Sequence, residues 1–131
     1  KNKNLQTYLM SGTSDFVALC RKVAMSYFER ASVKILDLTV SNENTEILTE
    51  VETSKWEDII AFRFYRTTGT IGELHVRDFH GRIRDIKAGR GICLTAGTYS
   101  DEARNYIEGR PIDLIDKQGL IRILKQVDTT F

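Results

Sequence analysis

The sequence predicts an α/β fold in which helices cover both faces of one mixed β-sheet. Two observations support this prediction. Residues Asp58–Ala96 have the pattern of a strand, a glycine-containing turn, an amphipathic helix and a second strand, and a crossover of this size joins parallel strands. Helical patterns also lie near both ends of the 131-residue chain and between its later strands, so both faces of the sheet need to be covered.

The central unit begins with a strand at Asp58–Arg66, whose residues alternate between two faces. One face carries Ile59, Ala61, Arg63 and Tyr65, and the other carries Ile60, Phe62 and Phe64. Thr67–Gly72 has the threonines and glycines of a loop. A helix with an apolar stripe begins at Glu73, and Gly89 is predicted to end it in a left-handed conformation.

The other elements follow from the same kinds of pattern. Lys1–Ser11 is predicted to be a frayed lead-in or a short helix, so that residues 1–13 precede a single domain over residues 14–131. Ser14 is the predicted N-cap of a one-sided helix that ends near Ala31. The remaining predicted elements are strands Val33–Val40, Thr45–Val51, Gly91–Ala96 and Ile112–Ile115, a short helix from the Thr98–Asp101 turn through Ile107, and a helix from Lys117 to Val127. The predicted order is therefore α-β-β-β-α-β-α-β-α.

Composition narrows the class of protein. The formal net charge of +1 indicates no particular partner, and no apolar run is long enough to span a bilayer, so no membrane contact is expected from this segment itself. Lysine rather than methionine at the first position predicts a piece of a longer chain and leaves an upstream membrane anchor open. Cys20 and Cys93 lie on apolar faces and are predicted to be free thiols in a reducing, cytoplasmic compartment, with a single regulatory disulfide as the alternative.

Basic side chains are concentrated in the central unit. Residues 61–90 contain seven basic and three acidic side chains, a balance of +4, whereas residues 1–60 carry −2 and residues 91–131 carry −1. Lysine and arginine supply most of the non-specific affinity for DNA, so this stripe predicts phosphate contact, with an ordinary solvated helix face as the alternative. Thr95–Ser100 adds hydroxyls and backbone amides at a helix start. The predicted nucleic-acid-binding residues are Arg63, Arg66, Arg77, Arg84, Lys87, Thr95 and Ser100.

Other binding motifs are not indicated. His75 and His80 are five residues apart on one helix and are predicted to point away from each other, so a shared metal is not expected. The sequence contains no CxxC pair, GxGxxG motif or Walker glycine pattern. Ser100 is predicted to be a helix cap rather than a nucleophile.

Three motifs follow one another in the second half of the chain. They are FRFYRTTGTIGELHVRDFHGRI, GRGICLTAGTYSDEARNYI and PIDLIDKQGLIRIL. In this order they resemble the catalytic strand and its following helix, the next strand with its short helix, and the closing strand and helix of the Mrr-type restriction endonuclease domain. The resemblance covers about Ser14 to Val127 and implies the PD-(D/E)xK nuclease fold, a restriction-endonuclease-like α/β/α sandwich with a central mixed sheet. A generic α/β sandwich is the alternative.

The resemblance also implies where the chemistry should lie. Such a nuclease holds Mg²⁺ with at least two carboxylates and places a lysine beside them. In the family the second acid or glutamine and the lysine lie two apart on one strand, and these positions fall at Ala61 and Arg63. The first strand acid falls at Glu46 or Glu50, and the acid of the first helix falls at Val17.

These substitutions predict a degenerate catalytic site. Ala61 offers no ligand atom, and Arg63 stays protonated, so it can hold a phosphate but cannot act as a base. We therefore expect no metal and no cofactor. The family context implied by the resemblance is recognition of foreign or modified DNA, and we expect this domain to retain only binding, either to nucleic acid, to a protein partner or to a second copy of itself. One alternative is an active Mg²⁺-dependent DNA endonuclease with Glu46 and Glu50 as metal ligands. The other is an assembly module without DNA binding, with Trp56 near its contact surface.

Overall fold

The secondary-structure elements follow the predicted order. The computed structural model describes residues 3–127. Its elements, labelled in chain order, are α1 (Lys3–Met10), α2 (Thr13–Ser26), β1 (Ser32–Val40), β2 (Thr45–Glu52), β3 (Glu57–Tyr65), β4 (Thr70–Ile71), α3 (Glu73–Asp85), β5 (Arg90–Thr95), β6 (Thr98–Tyr99), α4 (Asp101–Tyr106), β7 (Ile112–Ile115) and α5 (Lys117–Lys125).

The main sheet has the strand order β1-β2-β3-β5-β7. Strands β1, β2 and β3 form an antiparallel meander, and β3, β5 and β7 run parallel to one another. The β3–β5 ladder extends from the pair Ile60 and Arg90 to the pair Tyr65 and Thr95. The predicted strand–helix–strand unit with adjacent parallel strands is therefore confirmed, as is the mixed α/β sheet.

Hydrophobic residues pack on both faces of this sheet. Helices α1, α2 and α5 cover one face, where Phe62 and Phe64 of β3 are fully buried. Helices α3 and α4 cover the other face, where Ala61 and Tyr65 of the same strand pack. The alternation predicted for β3 thus divides the two cores, because successive side chains on a strand point to opposite faces.

The first helices differ in detail from the prediction. Residues 3–10 form a helix whose Tyr8 is fully buried and donates a hydrogen bond from its hydroxyl to the Tyr65 carbonyl at 2.8 Å. The N-cap of α2 is Gly12 rather than Ser14, because the extended backbone at Gly12 places its carbonyl to accept the Phe16 amide. Helix α2 ends at Ser26, five residues before the predicted Ala31.

Gly89 does not have the left-handed conformation predicted for it. Lys87 takes that conformation instead, with φ of 59°, and the amides of Lys87 and Ala88 bond back to carbonyls in the last turn of α3. Gly89 instead lies against the exposed Asp58 side chain. A Cβ at position 89 would lie 1.8 Å from a carboxylate oxygen of Asp58, so a larger residue there would displace that side chain.

Two segments predicted as loop and turn form a second, short parallel ladder. Thr70 of β4 pairs with Thr98 of β6, and Ile71 pairs with Tyr99. The two segments approach closely at Gly97, where a Cβ would lie 1.9 Å from the Gly69 carbonyl oxygen. Two-residue strands give too little alternation to be detected in the sequence.

Between residues 3 and 127, no helix combines the length and the apolar character needed to cross a bilayer.

Candidate functional site: a buried ion cluster on β2, β3 and α3

Ala61 and Arg63 lie on β3 and face the core beneath α3. Ala61 is fully buried, and Arg63 is 7 % exposed. Burial of a guanidinium requires partners for its charge and its N–H groups, since an isolated buried charge is strongly disfavoured. The surroundings of Arg63 supply them from β2 and α3.

Glu46 is the principal partner of Arg63. The antiparallel register places the two residues directly opposite each other on β2 and β3. Nε and Nη2 of Arg63 donate to the same Glu46 Oε2, at 3.1 and 2.9 Å. The Glu46 side chain is itself only 10 % exposed, so this is a buried ion pair.

Helix α3 completes the cluster. Nη1 of Arg63 donates to Asp78 Oδ2 at 2.9 Å, and Nε of Arg82 donates to Glu46 Oε1 at 2.8 Å. Asp78 and Arg82 lie at the solvent side of the cluster, with side chains 74 % and 39 % exposed. We call Glu46, Arg63, Asp78 and Arg82 the Glu46 cluster. Its two guanidiniums and two carboxylates balance in charge, and each oxygen of Glu46 accepts from a guanidinium.

The environment keeps Arg63 protonated. Burial alone would lower the pKa of the guanidinium, but contacts with Tyr65, Asp78 and Glu46 outweigh it and raise the pKa above its ordinary value. Arg63 therefore cannot take a proton from water at any pH at which the protein is folded.

Tyr65 lies next to the cluster on the same face of β3. Burial raises the pKa of its hydroxyl to about 12. The hydroxyl lies close enough to Arg63 to sense its charge, but it makes no hydrogen bond of good geometry with the residues that the structure describes. Its ring instead packs edge-on against His75.

The cluster does not fit a Mg²⁺ ion. Mg²⁺ requires oxygen ligands, including one or two carboxylates with free lone pairs directed at the ion. Here Ala61 presents no donor atom, and both oxygens of Glu46 already face positive groups. Within residues 3–127, no three side chains of histidine, cysteine, aspartate or glutamate lie close enough to form a metal-binding group.

Comparison with known protein families identifies the family to which the chain belongs. A model of the Mrr catalytic domain, described as a restriction endonuclease, matches residues 36–124, which include every member of the Glu46 cluster. The chain belongs to this restriction endonuclease family. The resemblance of the three sequence motifs is thereby confirmed. No curated protein sequence matches the chain.

Solved structures show the same restriction endonuclease fold. MspJI restriction endonuclease in complex with a 27-mer oligonucleotide superposes with a TM-score of 0.64 at 20 % identity, over 91 % of this chain and 30 % of MspJI. The DNA modification-dependent restriction endonuclease AspBHI gives 0.50 at 14 % identity, over 92 % of this chain and 37 % of its own. A protein of unknown function, AF1548, also gives 0.50 at 14 % identity, over 86 % of this chain and 57 % of its own. The restriction endonuclease domain thus spans about a third of the first two.

The second carboxylate considered for a metal site in this domain lies apart from the first. Glu50 is on the same strand as Glu46 and points to the same face, but four residues of strand separate their Cα atoms by about 13 Å. Leu48 lies between them, opposite Ala61. Glu50 instead lines a surface depression with Glu57 and Asp58.

Arg66 serves the packing of the first two helices. Its guanidinium donates to the carbonyls of Tyr8 and Ser11 and lies 4.4 Å from the centre of the Phe16 ring. The turn between α1 and α2 is therefore anchored to the end of β3 by this side chain, whose donors are directed into the protein.

The basic side chains of the α3 region reach solvent. Arg77 is paired with Glu73 one turn earlier, at 2.5 Å. Arg84 is exposed on α3, and Lys87 is exposed just beyond the end of the helix. Neither Arg84 nor Lys87 has an ion-pair partner in the described part of the chain.

Thr95 and Ser100 have structural partners. Thr95 is fully buried, and its hydroxyl accepts the Gly97 amide at 3.2 Å. The Ser100 hydroxyl accepts the Ala103 amide at 3.1 Å and caps α4, as predicted for this residue.

Histidines and cysteines also lie where the sequence predicts them. His75 is exposed, and His80 is partly buried, with its Nδ1 2.8 Å from the Tyr106 hydroxyl. Cys20 and Cys93 are buried free thiols on opposite faces of the sheet. Burial raises the pKa of both thiols above the ordinary value, so neither is reactive at neutral pH.

Sequence reasoning missed Asp78 and Arg82 as members of the cluster, and it missed Tyr106 and Arg110 beside α3. A helical spacing signal was present for the first pair, because positions 78 and 82 are four apart and share one helix face. The second pair comes from α4 and the turn that follows it, and no local pattern links that segment to α3.

Proposed function

We propose that this chain is a restriction-endonuclease-fold domain that has lost metal-dependent cleavage and binds the backbone of nucleic acid. The observation that carries the first part is the double pairing of Glu46 with Arg63 and Arg82. Two guanidiniums occupy the oxygens that a metal would need, and the neighbouring position is Ala61. The positive charge that Mg²⁺ would bring to this carboxylate is supplied by arginine instead.

Exposed positive charge supports the second part of the proposal. Arg84 and Lys87 face solvent without carboxylate partners in the described residues. The MspJI structure that shares this fold was determined with a 27-mer oligonucleotide. A protein that contacts phosphates through such side chains binds DNA without strict sequence preference and loses affinity steeply as salt increases.

Two measurements test this proposal. Purified protein is incubated with supercoiled plasmid and Mg²⁺ or Mn²⁺, and its affinity for a labelled DNA duplex is measured by fluorescence anisotropy over a range of salt concentrations. We expect no nicking and a linear fall of log affinity with log salt. Metal-dependent cleavage that disappears in Glu46→Ala would overturn the loss of catalysis. Absence of binding at low salt would overturn the binding role.

The main alternative is an active endonuclease with Glu46 and Glu50 as metal ligands and Arg63 at the phosphate. It requires Arg82 to leave Glu46 and requires two glutamates whose Cα atoms are about 13 Å apart to bind one ion. The plasmid experiment with Mn²⁺, whose coordination demands are similar, decides between the two readings.

A protein-interaction role is supported by the edge of the sheet. Strand β1 lies at the edge of the main sheet, and its Leu36 and Val40 side chains are 42 % and 48 % exposed. Trp56, which directly precedes β3, is 42 % exposed. A bulge at Leu36 interrupts the pairing of this strand and disfavours the addition of another strand, so a partner would contact these exposed side chains rather than extend the sheet. Light scattering would reveal a homodimer, and its loss in Val40→Lys would favour this role.

The buried free thiols of Cys20 and Cys93 support a reducing, cytoplasmic location.

A further inference from the structure

Two arginine side chains from separate segments of the chain pack against the ring of Tyr106, at the end of α4. The Cζ atoms of Arg77 and Arg110 lie 4.5 and 4.0 Å from the centre of its ring. The two guanidiniums are therefore within about 8.5 Å of each other, the sum of these distances. A phenol ring holds a guanidinium by the attraction of its π face for the cation, and this fixes two otherwise mobile side chains.

His80 connects this group to Arg84. Its Nδ1 lies 2.8 Å from the Tyr106 hydroxyl, and its ring packs edge-on against the tyrosine. Partial burial, with the positive charges of Arg84 and Arg110, lowers the pKa of His80 below its ordinary value. Arg84 lies four residues after His80 on α3, so the two side chains share the helix face that packs beside Tyr106. We call Arg77, His80, Arg84, Tyr106 and Arg110 the Tyr106 surface.

Two of the three arginines of the Tyr106 surface have no carboxylate partner among the residues that the structure describes. Glu73 offsets Arg77, with which it forms an ion pair. Arg84 and Arg110 are exposed, and among residues 3–127 neither has a carboxylate within ion-pair distance. Other arginines near this half of the sheet are engaged: Arg63 and Arg82 with Glu46, Arg90 with Asp113, and Arg104 with Asp116.

We infer that the Tyr106 surface is the place where the domain holds phosphate groups of a nucleic-acid strand. This inference rests on the proposed binding of nucleic acid and names the contact site. Arg84 and Arg110 supply the free positive charge, Tyr106 holds the side chain of Arg110 in place, and His80 adds a third positive charge when it is protonated. The site lies on the α3–α4 layer and requires none of the residues of the Glu46 cluster.

A matched pair of variants tests the site. Arg84→Gln with Arg110→Gln removes two charges from the Tyr106 surface. Arg122→Gln with Lys125→Gln removes two charges from exposed positions on α5, in the opposite layer. We expect the first variant to bind a labelled duplex at least about ten-fold more weakly at low salt, and to lower the slope of log affinity against log salt by about 2, one unit for each phosphate contact. The α5 variant should bind like the wild type.

The outcomes separate this inference from the proposed function. If the wild type binds DNA and the two variants weaken binding equally, the contact site is wrong while the binding role stands. If the wild type does not bind DNA at low salt, both are wrong. Both variants are checked by circular dichroism, and exposed arginine-to-glutamine changes leave the core unaltered.

The imidazole of His80 gives an independent measurement. Burial and the charges of Arg84 and Arg110 both lower the pKa of His80. A phosphate bound beside these arginines offsets the second contribution, so an NMR titration should show a higher pKa of His80 with DNA bound. By linkage, DNA affinity should rise as the pH falls from about 7.5 to about 5.5, and His80→Gln should abolish most of that rise. An unchanged pKa of His80 in the presence of saturating DNA would overturn the site.

Discussion

Removal of the Glu46 carboxylate distinguishes a structural ion cluster from a metal site. In Glu46→Ala, Arg63 remains buried and keeps Asp78 as its one carboxylate partner among the described residues; the Asp78 side chain is 74 % exposed, so this pair is screened by water. Breaking a buried ion pair by removing one partner costs about 3–5 kcal/mol. Because Asp78 still contacts Arg63, we expect the lower end of this range, about 3 kcal/mol of the free energy of unfolding. For a domain of this size that corresponds to a fall in Tm of roughly 10 °C.

Thermal and urea denaturation of three variants measure this effect. Arg82→Ala serves as the control, because Glu46 retains Arg63 and Arg82 is already partly exposed, so we expect a loss of about 1 kcal/mol. Glu46→Leu combined with Arg63→Met removes both buried charges and should recover much of the loss, since an apolar pair of similar volume replaces a buried ion pair well. Metal ligands behave differently, because the removal of functional groups often leaves stability unchanged or raises it. A Glu46→Ala protein within about 1 kcal/mol of the wild type would refute the structural role of the cluster.

Two further changes test the fold. Gly97→Ala places a methyl group against the backbone of residues 68 and 69 and should cost about 2 kcal/mol or more, whereas Gly81→Ala on α3, where nothing lies within 4 Å, should stabilise by about 0.5–1 kcal/mol; equal melting temperatures would contradict the close approach at Gly97. A hydrogen bond that protonated Glu57 donates to the Glu50 carboxylate, together with the charges of Glu52 and Glu50, raises the pKa of Glu57 in the folded protein. The folded state therefore holds the Glu57 proton more tightly than the unfolded state does. Stability then falls as the pH rises from the ordinary pKa of a glutamate through the raised pKa of Glu57. Glu57→Gln should therefore raise Tm at pH 7 but not at low pH, and Glu29→Gln should raise it at neither.

The main features of the fold could be predicted from local patterns. Alternation along β3 identified both of its faces, and the length of the following crossover predicted a parallel partner in β5. Errors arose where the backbone conformation depended on contacts distant in sequence. Gly89 was predicted to be the left-handed helix terminator, but Lys87 takes that conformation, and Gly89 instead lies against the Asp58 carboxylate.

The candidate site could be predicted only as two positions on one strand. The family resemblance located Ala61 and Arg63 and proposed Glu46 as a strand acid, and the antiparallel register then placed Glu46 opposite Arg63. The sequence could not show that Arg82, 36 residues from Glu46, would take its second oxygen. The sequence also could not show which arginines reach solvent. Arg63 and Arg66 were predicted as phosphate ligands together with Arg84. In the structure, Arg63 lies within the buried part of β3 and Arg66 directly follows this strand, and the guanidiniums of both donate to groups of the protein.

The Glu46 cluster also shows how this fold can satisfy a buried carboxylate with guanidiniums. A carboxylate in the core between β3 and α3 needs a positive partner, and the fold can supply either a bound cation or a guanidinium. Arginine at position 63 satisfies Glu46 from the neighbouring strand, and Arg82 does so from the helix above it. Once both are present, a divalent ion would have to displace two charge-assisted hydrogen-bonding groups and take the principal partner from the buried Arg63, at a cost of several kcal/mol. Replacement of Arg63 by lysine alone therefore should not create a metal site. Arg82 would still occupy one oxygen of Glu46, and Ala61 would still offer no ligand atom.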